Sequence, residues 1–548
     1  MNIRIVLVSF TLLLSSSPVF AQHEHAATAE GPAKLFSGMG SLHHPIATTN
    51  PEAQKFFDQG LTLIYAFNHD EAARSFRRAA ELDPNAVMAW WGIASALGPN
   101  YNLDVDPARE KAAFEAVQKA KALAASGPAN ERDYIEALAT RYSDHPKPDY
   151  KALSRNYAHK MSDLAKKYPD DPDAATLYAE SLMDLRPWNL WSLDGTPAEG
   201  TLDIIAVLES VLMRYPNHPG ANHYYIHAVE ASPHAAWALP SAERLPALVP
   251  NAGHLVHMPA HIYSRVGDYE AAMASNASAA AVDRAYIAAT GVKGVYPAMY
   301  YSHNLHFLAY AAMQAGNFET ARKSADQLAE NIQAQAQEMP LWMNEEFVTY
   351  QPFVLVRFRK WQEILAAPAP DPKQVTLVAA WNFARGMAHA SKGKIAEAEE
   401  ERKSFALAVA SVPADQPYGF SQSKTVLQIP ELLLDARIAE ARGDRKAAIE
   451  SLRKAVAIED TLPYNEPPTW FFPVRESLGG ALLRDGQAAE AEKVFRDDLA
   501  KNPRNGRSLF GLWQSLTAQN KTSDADWAKK EFESAWRDAD TQLTAGDL

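Results

Sequence analysis

Cysteine is absent from this sequence, and basic residues are outnumbered by acidic ones. The 548 residues include 66 aspartates and glutamates against 53 lysines and arginines, a formal net charge of −13 at pH 7. Without cysteine, disulfide bonds contribute nothing to stability, and an oxidising compartment poses no hazard. The negative charge argues against nucleic acid or an anionic membrane surface as the ligand. The stability of the fold must therefore come from packing.

Standard catalytic motifs and long apolar runs are also missing. The chain has no glycine-rich phosphate loop, no nucleophile elbow and no His-Glu-x-x-His string. Beyond the N-terminus, no apolar run reaches the length of a transmembrane helix. We therefore expect no hydrolase of a standard class and no integral membrane segment, while an activity that depends on a metal stays open.

Residues 1–21 have the features of a signal peptide. One basic residue precedes an apolar run over residues 5–14, and residues 19–21 satisfy the small-x-small cleavage rule. The apolar run is too short to remain as a membrane anchor. We predict cleavage after Ala21, and hence a periplasmic or secreted protein.

A 34-residue pattern of small and aromatic residues begins at Ala53. The same frame recurs from Gly253, with Gly267 at position 15 and Tyr269 at position 17. The pattern resembles the tetratricopeptide repeat (TPR), a helix-turn-helix unit with small residues at positions 8, 20 and 27 and proline at 32. In the first repeat these positions hold Gly60, Ala72, Ala79 and Pro84.

The resemblance to TPR proteins implies an all-α fold. The expected architecture is an α-solenoid of helix-turn-helix repeats that forms a right-handed superhelix with a concave groove. We expect an N-terminal array over residues 51–365 and a C-terminal array over residues 376–540, divided by a proline-rich linker at 366–375. Residues 22–50 are predicted to form a flexible, solvated tail, and residues 287–301 a loop over the groove.

A closer resemblance concerns residues 257–263. Their sequence, His-Met-Pro-Ala-His-Ile-Tyr, is similar to a segment of a group of exported bacterial TPR proteins whose function is uncharacterised. This resemblance implies the fold and export of the chain. It leaves the activity open, because function belongs to sites and not to folds.

Seven histidines and one glutamate occupy positions that the repeat frame assigns to the inner wall. In TPR proteins these are positions 2, 5, 9 and 12 of the first helix of a repeat, which share one helical face. We predict that all eight side chains point into the groove and form a metal site. They are His223, His227, Glu230, His254, His257, His261, His303 and His306.

The chemistry of these residues indicates a transition metal such as zinc, copper or iron. Neutral imidazole is the commonest protein ligand for such ions, and His223 and His227, one turn apart, can chelate from a single helix. Helices packed roughly 8–10 Å apart would let the imidazoles converge on one ion or two. Alternatively, some of the eight residues orient the ligands. Pro259 lies inside the predicted helix, so we expect His254 to lie in the entering loop.

The alternative function is a scaffold without metal. Histidines in a TPR groove can serve as polar contacts to a peptide or a partner protein, which we expect as the ligand of the groove. The fold favours the scaffold, because such arrays usually hold other proteins, whereas the inward cluster of histidines favours the metal. Both functions stay open at this point.

Overall fold

Helices dominate this protein. The computed structural model describes residues 32–104, 106–339 and 341–548. The predicted signal peptide and residues 22–31 of the predicted tail lie outside these ranges. Each helix packs mainly on the helices next to it in sequence, so the chain forms a series of helical hairpins. The fold is an all-α solenoid of TPR-like hairpins, as the sequence predicts.

The helices are short to medium in length and run without a long break from residue 51. Up to residue 366 they are α1 (Pro51–Tyr65), α2 (His69–Leu82), α3 (Val87–Leu97), α4 (Pro107–Leu123), α5 (Ala129–Ala139), α6 (Tyr150–Lys167), α7 (Pro172–Met183), α8 (Thr201–Arg214), α9 (Pro219–Val229), α10 (Leu239–Leu248), α11 (Gly253–His257), α12 (Pro259–Val266), α13 (Tyr269–Thr290), α14 (Ser302–Ala315), α15 (Phe318–Ala334), α16 (Leu341–Val348), α17 (Tyr350–Arg357) and α18 (Trp361–Ala366). After residues 367–374 follow α19 (Val375–Ser391), α20 (Ile395–Ser411), α21 (Ser423–Val426), α22 (Gln428–Ala441), α23 (Arg445–Glu459), α24 (Val474–Arg484), α25 (Ala488–Lys501), α26 (Gly506–Ala518) and α27 (Thr522–Ala535). Within the described ranges, no helix is both long and apolar enough to cross a bilayer.

Small residues set the close packing of the first hairpin. Asn50 caps α1, because its side chain accepts hydrogen bonds from two backbone amides of the first turn. Gly60 on α1 and Gly92 on α3 both approach the ring of Phe76. A Cβ atom would lie 2.7 Å from Phe76 Cε1 at Gly60 and 2.3 Å from Phe76 Cδ1 at Gly92. Position 8 of this repeat therefore requires glycine, because any side chain would force the helices apart.

The N-terminal and C-terminal arrays pack against each other. Gly267 ends α12 with φ +79°, and a Cβ atom there would lie 2.0 Å from the carbonyl oxygen of Pro503. Arg357 on α17 forms a buried ion pair with Glu476 on α24. Arg507 on α26 donates a hydrogen bond to the Arg357 carbonyl at 2.9 Å. The C-terminal array therefore closes against α12 and α17.

Two local features depart from the sequence prediction. The predicted loop at residues 287–301 is instead largely helical: α13 continues to Thr290, and Tyr296–Tyr301 form a π-helical turn that leads directly into α14. Its aromatic side chains are buried, which favours the helical path. In the C-terminal array, a small antiparallel hairpin pairs β1 (Pro417–Tyr418) with β2 (Ser421–Gln422). Short 3₁₀ turns occur at Ala124–Ser126, Ala235–Ala238 and Ala545–Asp547.

The described part of the predicted tail, residues 32–50, is held against the helices, although many of its residues are exposed. Phe36 donates its backbone N–H to Gln59 Oε1 at 2.7 Å, and Asn251 donates its backbone N–H to the carbonyl of Gly38 at 3.1 Å. His44 is only 7 % exposed. The prediction of a flexible tail is wrong for these residues, because polar partners on several helices fix the extended chain.

Asp173, in the first turn of α7, holds a buried polar network around His44. Its carboxylate accepts hydrogen bonds from His44 Nδ1 at 2.8 Å, His218 Nε2 at 3.0 Å and the Tyr65 hydroxyl at 2.6 Å. Burial alone would raise the pKa of Asp173, but the bonds from His218 and His44 outweigh burial and lower this pKa far below 3.8. Burial would lower the pKa of His44, but Asp173 raises it above 6.5.

We predict that His44→Gln destabilises the protein at pH 6 by about 2 kcal/mol, because it removes a charged hydrogen bond to a buried carboxylate. The raised pKa of His44 means that its contribution is complete below pH 6.5 and is lost as pH rises through the folded-state value. The deficit of the variant should therefore shrink between pH 6 and pH 9. Melting at both pH values tests this. The matched control is His43→Gln, which alters an exposed pair with Asp58 and should change stability by less than about 1 kcal/mol. A deficit independent of pH would contradict the charged pair.

Candidate metal centre

Three neighbouring segments carry the predicted ligands to one place. His223 and His227 lie one turn apart on α9, and Glu230 is the residue directly after this helix, at its C-cap. The next pair of short helices, α11 and α12, carries three histidines, and α14 carries His303 and His306 near its start. Because α9, α12 and α14 belong to successive repeats, their inner faces meet.

Pro259 does not displace His254 from the helix. Met258 keeps helical angles (φ −50°, ψ −35°), and its N–H donates to the carbonyl of His254 at 3.1 Å. Pro259 then takes the first position of α12, where its missing N–H costs nothing. The expectation that His254 lies in an entering loop is therefore wrong, and the chain passes through the proline as two nearly continuous helices.

The first triad consists of His223, His227 and His254. Each offers a ring nitrogen within 4.8 Å of those of the other two. The Nε2 atoms of His223 and His254 are 3.0 Å apart. Nε2 of His227 is buried without a hydrogen-bond partner among the described residues. Three imidazoles thus present their nitrogens to one point.

The second triad consists of His257, His261 and His303. Nε2 of His257 lies 2.7 Å from Nε2 of His261 and 3.1 Å from Nε2 of His303. The ring of Phe307 lies beneath all three, with centroids 5.4 to 5.9 Å away. The two triads are adjacent, since the ring centroids of His227 and His261 are 5.6 Å apart.

Glu230 lies between the two triads. Its Oε1 accepts a hydrogen bond from His227 Nδ1 at 2.9 Å, and its Oε2 accepts one from His261 Nδ1 at 2.5 Å. Burial would raise the pKa of Glu230, but His261 and His227 outweigh burial and lower it to about 2. Glu230, which the sequence predicts as a ligand, forms with His227 and His261 a third group that could hold a metal ion. With both of its oxygens bonded to Nδ1 atoms, its carboxylate also fixes the orientation of these two imidazoles.

Other Nδ1 atoms are fixed in the same way. His223 Nδ1 donates to the backbone carbonyl of Tyr65 at 2.6 Å, and His257 Nδ1 donates to Asn276 Oδ1 at 2.6 Å. Asn276 uses its Nδ2 to donate to the carbonyl of Ala272, which identifies Oδ1 as the acceptor. With the proton on Nδ1, the lone pair of each neutral ring lies on Nε2, on the side that faces the other histidines.

At the contact between His257 and His261, Asn276 and Glu230 hold both protons on Nδ1, so two Nε2 lone pairs face each other at 2.7 Å and repel unless a cation lies between them. A shared proton would serve, but burial opposes it and holds the pKa of His223, His254, His257 and His303 well below 6.5. A metal ion removes the repulsion without charging an imidazole, since it accepts several lone pairs at once. The arrangement of protons and lone pairs therefore fits a metal ion at each triad.

Aromatic side chains cover the first triad. Phe67 stacks on His227 and His254, with ring centroids 5.7 and 5.2 Å apart. Tyr101 lies 5.3 Å from His227, and Trp188 stacks on Tyr101 at 5.3 Å. Phe67 and Trp188 have φ angles of +54° and +59°, which aromatic residues rarely adopt. Such strain is concentrated at functional sites, where surrounding contacts enforce it.

His306 is not brought to the cluster. Its ring packs between Phe347 and Tyr350, with centroids 4.8 and 4.1 Å away, and neither ring nitrogen has a partner among the described residues. Burial lowers the pKa of His306 to about 3. His306 follows His303 by three positions on α14, so its side chain leaves the helix about 60° away from that of His303. This rotation directs His306 to a different neighbour. The structure therefore assigns His306 to packing.

Three residues that build the centre are absent from the set predicted from the sequence. Tyr65 contributes its backbone carbonyl, which leaves no side-chain signal in a sequence. Asn276 lies on α13, the second helix of its repeat, and the frame assigns ligands only to first helices. Phe67 lies in the turn between α1 and α2. Its positive φ angle marks it as unusual, but this angle is seen only in the structure.

Comparisons with known proteins add nothing about the site. No protein-family model matches the chain. No curated protein matches it either. Solved structures that the chain matches include the APC/C hetero-tetramer Cut9–Hcn1 (12 % identity, TM-score 0.32, covering 86 % of this chain and 78 % of that one) and yeast Tom70 (10 %, 0.29, 88 % and 92 %). Ypp1 is similar over 88 % of this chain and 81 % of its own, at 9 % identity and TM-score 0.42.

We predict that His306→Phe makes the protein more resistant to acid. The unfolded chain binds a proton at His306 below pH 6.5, whereas the folded chain does so only near pH 3. The wild type therefore loses up to about 1.4 kcal/mol of stability per pH unit between these values from this residue alone. Melting of chelator-treated protein at pH 7 and pH 4.5 should show a smaller acid loss in the variant. His234→Phe, at a surface histidine, is the control, and equal losses in all three proteins would contradict a buried neutral His306.

Proposed function

We propose that this helical-repeat protein binds transition-metal ions in two adjacent three-histidine sites. The observation that carries the proposal is the orientation of the rings. Buried acceptors bind the Nδ1–H groups of His223, His227, His257 and His261, so the Nε2 lone pairs of these rings face the other histidines, and those of His257 and His261 are 2.7 Å apart. Buried polar atoms in such an arrangement are costly unless a shared partner satisfies them.

Zinc, copper and iron are the ions that suit this donor set. All accept neutral imidazole nitrogen, and none requires the hard oxygen ligands that calcium and magnesium prefer. The first triad would hold one ion and the second triad another, with the Glu230 carboxylate offsetting part of their charge from between them. Two ions near one carboxylate would form a dinuclear centre.

Each triad supplies three ligands, which matters for activity. Structural zinc sites are closed by four protein ligands, whereas catalytic sites keep a position open for water or substrate. An ion in either triad would polarise whatever occupied its open position. The chain's own residues would orient the imidazoles through Glu230 and Asn276, and Phe67, Tyr101 and Trp188 would exclude bulk water from the first triad.

Burial of the cluster weighs against histidines that act as peptide contacts. His223 and His257 are fully buried, and His227 and His261 are 2 % and 1 % exposed. A peptide in an open groove could not reach these rings. A scaffold role, with a protein or peptide as partner, would therefore have to use other surfaces of the arrays, and it rests on the fold class alone.

We further propose that the protein is exported. Support comes from the signal-peptide features of residues 1–21 and from the lack of cysteine. Cleavage after Ala21 should leave a mature chain that begins at Gln22. The intact mass of the protein purified from its own host tests this proposal, and a chain that retains residues 1–21 would refute it.

We predict that the mature protein, purified without a histidine tag, contains a first-row transition metal or binds up to two ions per chain. Elemental analysis gives the content, and calorimetric titration of chelator-treated protein with zinc, copper or iron(II) at pH 7.5 gives the stoichiometry. The double variant His227→Ala, His261→Ala removes one ligand from each triad and should lose uptake. Negligible metal in the protein as purified, together with negligible uptake by the wild type, would refute the proposal.

Matched variants distinguish the effect of losing a metal ligand from the effect of changing a neighbouring residue. His306→Phe removes a buried histidine outside the triads and should bind as the wild type does. Glu230→Gln keeps all six imidazoles but takes one acceptor from them, so it should weaken binding about 10-fold to 100-fold. Glu209 on α8 accepts a hydrogen bond from the Tyr225 hydroxyl. Glu209→Gln should have no effect on metal binding. Circular dichroism of each variant verifies that the helices form.

A further inference from the structure

A cavity of about 150 Å³ lies where the two arrays meet, apart from the histidine triads. One side is formed by the end of α12, and the other by residues 459–470, which connect α23 to α24. Its walls include Ser264, Arg265, Tyr464, Glu466 and Trp470. This volume holds a few water molecules or one small organic molecule.

Four residues of this cavity carry buried polar atoms without a hydrogen-bond partner in the described chain. These atoms are Ser264 Oγ, Tyr464 OH, Glu466 Oε1 and Trp470 Nε1. Glu466 and Trp470 are only 6 % and 2 % exposed. An unpaired buried polar group costs about 1–3 kcal/mol, so folded proteins leave few of them. Four at one cavity indicate a polar occupant.

The unpaired atoms are mainly donors. The Trp470 indole N–H can only donate, and the Tyr464 and Ser264 hydroxyls can do so. Burial, with the nearby charge of Glu230, raises the pKa of Glu466 well above 4.5 against the opposing effect of Arg265, which favours the protonated carboxyl, a group that can donate. The occupant must therefore be rich in acceptors.

Arg265 adds a positive charge to the same wall. Its Nε donates to the carbonyl of Glu230 at 3.0 Å and one terminal nitrogen donates to the carbonyl of Ser232 at 3.3 Å. Both partners are neutral backbone groups, so the guanidinium charge is not neutralised by them. Its stacking distance to the Tyr464 ring, 5.8 Å, places the charge beside the Tyr464 side chain.

We propose that this cavity binds a small carboxylate. A carboxylate has two oxygens that accept and none that donates, which matches a cluster of donors, and its charge complements Arg265. Water would satisfy the donors less well, because each molecule must also place its own two hydrogens on acceptors. The site involves no residue of either triad, so the inference does not depend on a bound metal.

The test uses full-length mature protein treated with a chelator, so that metal binding cannot contribute. Calorimetric titration with acetate, propionate and succinate at pH 7 should show saturable binding of at least one of them to one site per chain. Acetamide and propionamide, which have nearly the same shape without the charge, should bind at least tenfold more weakly. If no carboxylate binds, or if the amides bind equally well, the proposal is overturned.

Tyr464→Phe removes one hydroxyl from the cavity and should weaken carboxylate binding about tenfold, as expected for a hydrogen bond to a charged group. Tyr263→Phe is the matched control on α12, outside the cavity, and should leave the affinity unchanged. Ser264→Ala provides an independent second loss of a donor. Unchanged affinity in both Tyr464→Phe and Ser264→Ala would place any binding elsewhere and overturn the assignment. Failure of this test would leave metal uptake by the triads unaffected.

Discussion

One buried carboxylate determines how the histidine centre is arranged. Glu230 accepts hydrogen bonds from the Nδ1–H groups of His227 and His261, one from each triad, at 2.9 and 2.5 Å. Because a carboxylate only accepts, both imidazoles must keep their protons on Nδ1 and direct their lone pairs away from it. The Tyr65 carbonyl and Asn276 impose the same tautomer on His223 and His257. Glu230, the Tyr65 carbonyl and Asn276 therefore leave the Nε2 atoms of these histidines unprotonated and directed toward one another.

Elements that follow from local sequence rules were predictable here. Gly60 and Gly267 mark positions where helices approach or turn, and their 34-residue frame predicted the helical hairpins and the approach of α9, α12 and α14. The frame also selected His227, His257, His261 and His303, because positions on one helical face repeat in every unit. Local periodicity is enough for these features, since each depends on contacts within a repeat or between adjacent repeats.

Features that depend on distant partners were not predictable. His44 is fixed by Asp173, which lies 129 residues further along the chain, so its burial has no local signal. Arg357 pairs with Glu476 across 119 residues, and this contact between the two arrays likewise has no local signal. His306 satisfied the frame but packs against Phe347 and Tyr350, since a periodic rule cannot tell which neighbour a side chain meets. Aromatic strain at Phe67 and Trp188 is likewise visible only in backbone angles.

The aromatic cover of the first triad has a kinetic consequence. An ion there would be enclosed by Phe67, Tyr101 and Trp188, and leaving would require this cover to open. Exchange would then be limited by a local opening equilibrium and not by the strength of the metal–nitrogen bonds. Under this limit, the ion that a chain carries would be set by what was present where and when it folded.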